Sequence, residues 1–226
     1  MIRNPALRDR EYRRLLGGAA FHQQGMSGEQ VVIGLLVYEA TGTTAWVGII
    51  LAIYFLPFFV FGLLSGTVAD WIDRRTLLRR LELATAAVLF VFAASTAQEA
   101  TSIWIIAGFT LFAGSLRALH QPVRSSYAYD LVGQENLVSA MGLLNIGSRS
   151  GQLLGALVAG FVMESFSGSA ALAFLGGGHL IAFLFFRSLR AAGVAAVAMR
   201  APIRQNIREY IVELGTNRLL LTLLAV

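Results

Sequence analysis

The chain has 226 residues, of which 56% are hydrophobic and only 14% charged, with a mean hydropathy of +0.66; soluble domains carry about 45–50% apolar and 25% charged residues. An ordinary soluble fold is excluded, and the net charge of +5 argues for membrane topology rather than nucleic acid, because all eighteen basic residues are arginines clustered between apolar runs. The absence of cysteine removes disulfides, thiol nucleophiles and Cys-based metal sites.

In chain order, residues 1–14 form an Arg-rich arm with five arginines and two acids, unlike a secretory signal peptide. Hydropathy and turn residues then predict helix 1 at about residues 15–38, helix 2 at 45–69, helix 3 at 77–97, helix 4 at 103–120, helix 5 at 137–163 and helix 6 at 169–188. The predicted fold class is all-α, a polytopic bundle of six transmembrane helices over 15–188. An Arg- and Ala-rich connector (189–217) follows, with an amphipathic helix at 202–214 whose Ile203, Ile207, Tyr210, Ile211 and Leu214 share one face. Residues 218–226 read as the start of a seventh span.

Arginine counts set the expected orientation, since positive residues stay on the cytoplasmic side. The N-terminal arm, the helix 2–3 loop (Arg74, Arg75, Arg79, Arg80), the 4–5 loop (Arg124) and the segment after helix 6 carry the arginines, and the alternate loops at 39–44, 98–102 and 164–168 carry none. The N-terminus is expected in the cytoplasm and the protein in the plasma membrane, spanning it several times.

Two motifs carry more than topology. At the end of helix 2, the run 66–75 contains Gly66, Asp70, Asp73, Arg74 and Arg75, a small residue for close helix approach beside acids and guanidiniums able to form charge-assisted bonds. In helix 5, Gly147, Gly151 and Gly155 repeat every four residues between Gly142 and Gly160, making a smooth face for helix packing. The first run resembles the GxxxD(R/K)xGRR signature of the major facilitator superfamily, with Trp71 and Asp73 replacing one basic residue and the glycine. The second resembles the gx8GxxxGPxxGG motif of proton-coupled exporters in that superfamily, with Ala156 and Ala159 in place of Pro and Gly. With 36–43, Leu56-Pro57, 117–122 and 139–145, the similarity covers about 15–187 and points to the branch of transmembrane secretion effectors, or drug:proton antiporters.

That resemblance implies the N-terminal half of a twelve-helix transporter, a substrate cavity between two halves and alternating access. It assigns Gly66, Asp70, Asp73, Arg74 and Arg75 to a conformational latch. The implied activity is proton-coupled efflux of small amphipathic, drug- or siderophore-like molecules. The alternative is a split half with a structural or partner-dependent role. Partners are the bilayer, a small molecule, protons and a second half; no enzyme activity or cofactor is expected.

Ionisable groups inside spans are costly in lipid and mark functional positions. Glu29, beside Gln30 in helix 1, reads either as a proton-exchanging carboxyl or as a neutral hydrogen-bonded one. Glu29, Gln30, Arg117 and Arg149 are candidate proton- or substrate-site residues; Arg149 in helix 5 reads as an anion contact or a buried ion pair, and Arg117 as such a site residue or, the favoured alternative, as one that snorkels to the headgroups. The histidines His22, His120 and His179 lie on three helices without HxxxH or HExxH spacing, so no metal site is expected. His22 reads as an interfacial polar residue, with a proton relay as the alternative, Trp46, Trp71 and Trp104 as interface anchors, and most of Tyr54, Phe55, Phe58, Phe59 and Phe61 as lipid-facing, with the lining of an apolar substrate path as the alternative.

Overall fold

The computed structural model describes the backbone of residues 5–71, 73–98 and 102–191, and their side chains apart from Pro5 and 59–71. A 3-10 turn at Pro5–Arg8 leads into five α-helices, α1 (Arg10–Thr41), α2 (Thr44–Trp71), α3 (Arg74–Ala97), α4 (Ile103–Ser165) and α5 (Gly168–Arg187). The described residues contain no strand. The amphipathic stretch at 202–214 and the seventh-span start at 218–226 lie outside the described residues.

Capping sets the starts. Asp9 accepts from the Glu11 N–H at 2.8 Å, Asp73 from Thr76 at 2.7 Å and Ser167 from Ala170 at 3.0 Å, each satisfying an otherwise orphaned helix N–H. Asp73 thereby starts α3 three residues before the position hydropathy indicated. α1 ends at Gly42, whose φ of 68° is the left-handed conformation a glycine adopts without Cβ strain.

The expected helices 4 and 5 both lie within α4, a 63-residue element made of two helices that meet at a kink. Pro122 lies inside α4 instead of closing a helix, and the one non-helical residue is Gly133 at φ 67°, ψ 177°. The chain reverses there. Arg124 Nη1 and Ser148 Oγ are 24 positions apart, about 36 Å along a straight helix, yet meet at 3.2 Å. The predicted 4–5 loop therefore shrinks to the surroundings of one glycine, and Arg124, expected in that loop, is a buried helical residue.

Among the described residues, α4 and α5 are long and apolar enough to span a membrane by length and composition, and Thr44–Phe58 of α2 is a shorter apolar stretch. α1 and α3 dilute their hydropathy with His22, Ser27, Glu29, Glu82 and Thr85, all of which are buried. Leu56, Val91, Phe112, Leu153, Leu157 and Phe161 are instead exposed. A polar interior under an apolar exterior inverts the soluble pattern and suits a lipid environment.

Burial also has layers. One apolar cluster gathers Tyr12, Leu15, Leu78, Tyr127, Leu144 and Phe186. A second gathers Val32, Ile33, Ile50, Phe92, Ile106 and Leu172. Along α1, α3, α4 and α5 the buried polar residues His22, Glu29, Glu82, Arg117, His120 and His179 fall between the two. The bundle thus sandwiches a polar layer between apolar ones, removing its charges from lipid.

Candidate functional site

The first feature of that layer is an ion pair. Arg117 Nη2 on α4 donates to the Glu29 carboxylate on α1, and both side chains are 1% exposed. The guanidinium carbon lies 4.7 Å from the centroid of the Tyr54 ring, a cation–π position that also keeps Tyr54 buried rather than lipid-facing. Arg117 therefore does not snorkel. Its helix continues well past His120, so Arg117 is far from a helix end and finds a carboxylate and an aromatic face inside the bundle. Its Nε and Nη1 have no hydrogen-bond partner among the described residues. A buried guanidinium with free donors is able to exchange partners.

Arg117 borders a cleft of 470 Å³ lined also by His22, Gln23, Met26, Phe55, Phe58, His120, Gln121 and Arg124. An adjoining cleft of 310 Å³ shares Gln23, Met26, Phe55, Gln121 and Arg124 and adds Gln30, Asn145, Ser148, Arg149 and Gln152. Both combine amides and guanidiniums with aromatic and thioether surface, the mixture that holds an amphipathic small molecule. Arg149 is exposed on the second cleft and bonded to Gln152 Oε1 at 2.8 Å, so it forms no buried ion pair. Gln30 lines the same cleft, one residue from Glu29. Phe55 and Phe58 are cleft residues too, and the side chains of Phe59 and Phe61 are outside the described set.

The second feature was not legible as a unit. His22 on α1, His120 on α4 and His179 on α5 converge on Glu82 of α3. Nδ1 of His22 lies 2.7 Å from Oε1, Nε2 of His120 lies 2.8 Å from the same oxygen, and Nδ1 of His179 lies 2.7 Å from Oε2. The rings of His22 and His120 stack at 3.5 Å and 7°. Donor atoms of His22, Glu82 and His179 all fall within 4.8 Å of one another. Motif spacing along one helix could not reveal this, because each helix supplies a single donor. His22 is accordingly a core residue and not an interfacial one.

At the predicted latch, Asp73 caps α3 and lies 3.7 Å from Arg75. Arg74 Nη1 bonds both oxygens of Asp130 at 2.7 Å, tying the start of α3 to α4 just before Gly133. Arg75 donates to the Arg190 carbonyl at 2.9 Å. Arg79 donates to the carbonyls of Phe186, Arg187 and Leu189, satisfying orphaned C=O groups at the end of α5. Gly66 and Asp70 fall within α2, but their side-chain surroundings lie outside the described residues.

The glycine face divides. A Cβ on Gly151 would strike the Ala20 carbonyl, one on Gly155 the Gln24 carbonyl, and one on Gly147 the Leu16 side chain. These three let α4 and α1 approach backbone to backbone. Gly142 and Gly160 meet nothing within 4 Å.

Sequence reasoning missed Glu82, Arg124 and Asp130. Glu82 was detectable, since an acid five residues into a predicted span obeys the same rule that selects Glu29. Arg124 was masked by its assignment to a loop, and Asp130 offered no local signal.

Residues 15–226 match the sequence family described as the Major Facilitator Superfamily. Among solved structures, the in meso crystal structure of the POT family transporter PepTSo is similar, with a TM-score of 0.63 at 17% identity. The match covers 85% of this chain and 39% of that one, so the chain spans well under half of that transporter's length. At that identity the likeness concerns the fold alone. Comparison with curated proteins gives no match.

Proposed function

Because the chain belongs to the Major Facilitator Superfamily, a family of membrane transporters and not enzymes, we propose that it serves proton-coupled efflux of small amphipathic molecules by alternating access. The observation that carries the reading is the buried Glu29–Arg117 pair, whose arginine lines the 470 Å³ cleft. With Glu29 ionised the pair is neutral, and the cleft accepts a substrate whose polar end meets Gln23, Gln121 and Gln30 and whose apolar end meets Phe55, Phe58 and Met26. Protonation of Glu29 leaves Arg117 uncompensated in a low-dielectric wall. The freed guanidinium then repels a cationic substrate, which makes proton entry and substrate exit alternatives. Drug- or siderophore-like compounds are the substrate class that the exporter-like glycine face supports.

Asp73, Arg74 and Arg75 act in this reading as a latch, together with Gly66 and Asp70 of the same run. Their contacts to Asp130 and Arg190 join α3 to α4 and to the segment after α5, the kind of connection whose making and breaking accompanies rocking of a half-bundle. The arginine asymmetry supports a cytoplasmic N-terminus in the plasma membrane. A second six-helix half is the partner the resemblance implies, and the exposed Leu153, Leu154, Leu157 and Phe161 supply apolar surface for it or for lipid.

The test is transport by the full-length gene product in proteoliposomes loaded with an amphipathic fluorescent dye. An imposed pH gradient is expected to accelerate dye exit. Dye movement that ignores the gradient overturns proton coupling. No movement at all favours the alternative of a structural or partner-dependent half.

A further inference from the structure

We propose that His22, Glu82 and His179, with His120 beside them, bind one divalent transition-metal ion of the zinc type, which fastens α1, α3 and α5 together. Glu82 is fully buried, and its ion-pair partners among the described residues are the three imidazoles and no arginine. A carboxylate so placed requires a positive charge beside it.

The two oxygens of Glu82 are divided between imidazoles, Oε1 with His22 and Oε2 with His179, each at 2.7 Å, and a metal seated among these three donors replaces those two hydrogen bonds. Nε2 of His120 lies 2.8 Å from the same carboxylate and borders the site. Stacking of His22 on His120 at 3.5 Å disfavours charging both rings. Neutral imidazole is the form that ligates a metal.

Two or three imidazoles and one carboxylate form a borderline donor set suited to Zn²⁺ or Co²⁺. Bonds of about 2.0–2.1 Å in a tetrahedron put ligand atoms roughly 3.4 Å apart. Donors already within 4.8 Å of one another need only small side-chain adjustments to reach that spacing. The surroundings are shaped for the cluster. A Cβ on Gly25 would collide with the His179 imidazole, so glycine at this position leaves room for the ring. An entry path exists, because His22 and His120 also line the cleft. The cluster involves neither Glu29 nor Arg117, and the proposal stands whether or not transport is proton driven.

The experiment uses full-length gene product, purified with chelator and placed in lipid nanodiscs, and titrated with Zn²⁺ and with Co²⁺. Expected are one equivalent of bound metal by equilibrium dialysis and elemental analysis, visible Co²⁺ absorption of tetrahedral type, and a raised unfolding temperature. Glu82→Gln and His179→Gln are each expected to weaken binding at least tenfold. Should either variant fail to fold, the wild-type titration decides alone, with X-ray absorption of the zinc form reporting N/O ligands near 2.0 Å. Folded wild-type protein that takes up no stoichiometric metal, or variants that keep full affinity, overturn the proposal; a Glu82-dependent proton uptake without metal would reassign the cluster to protons.

Discussion

Glu29 and Glu82 are both fully buried carboxylates in one polar layer, and they are held in contrasting ways. Glu29 meets a single guanidinium, that of Arg117, which lines the 470 Å³ cleft and has two N–H groups without a hydrogen-bond partner among the described residues. Glu82 is enclosed by imidazoles from three other helices. A permanently charged partner with spare donors beside a cavity suits a site that changes partners during a cycle. Imidazoles from three helices around a carboxylate on a fourth suit a site that holds helices in register. The same residue type thus serves motion at one position and cohesion at another, and its neighbours decide which.

The largest expected effect breaks the first arrangement. Arg117→Met alone leaves Glu29 buried without a partner and is expected to cost about 3–5 kcal/mol, whereas the double variant Glu29→Gln with Arg117→Met returns close to wild type. Denaturant unfolding in mild detergent measures both. Equal losses in the single and double variants would mean that the pair is not coupled.

A middle-sized effect concerns α1, which carries both Glu29 and His22 and is seated on α4 through glycines. Gly151→Ala and Gly155→Ala place a methyl against a backbone carbonyl and are each expected to destabilise by about 1–3 kcal/mol. Gly142→Ala and Gly160→Ala, which meet open space inside helix, are expected to keep or slightly raise the unfolding temperature. A uniform response across the four variants would remove the distinction between a packed and an open glycine face.

The smallest stability effect is expected at the helix 2–3 latch. Asp130→Asn weakens a peripheral pair with Arg74 and is expected to cost about 1 kcal/mol or less. Its signature lies in turnover, which should slow while substrate affinity holds. A change in affinity with unaltered turnover would withdraw the latch role from this pair.

Much of this fold was legible because the signals are local. Apolar runs located every helix, and Asp73, Ser167 and Gly42 fixed ends by capping chemistry confined to a few residues. The repeat of Gly147, Gly151 and Gly155 announced a close packing face because helix periodicity aligns such positions without knowledge of the partner. The reversal at Gly133 was obscured by Pro122, which ended a helix on paper but is accommodated inside one. The site was less legible for a related reason. Arg117 was read by its nearness to a helix end that does not exist, and its pairing with Glu29 joins residues 88 positions apart. The Glu82 cluster draws one residue from each of four helices, so no spacing rule along the chain could assemble it.

The central claim is that Glu29 and Arg117 form the coupling pair, and the most direct test is gradient-driven dye efflux by the double variant Glu29→Gln with Arg117→Met, whose stability should permit reconstitution. The account predicts that this variant loses acceleration by the pH gradient while wild type keeps it. Gradient-driven efflux of undiminished rate in the double variant would contradict the account.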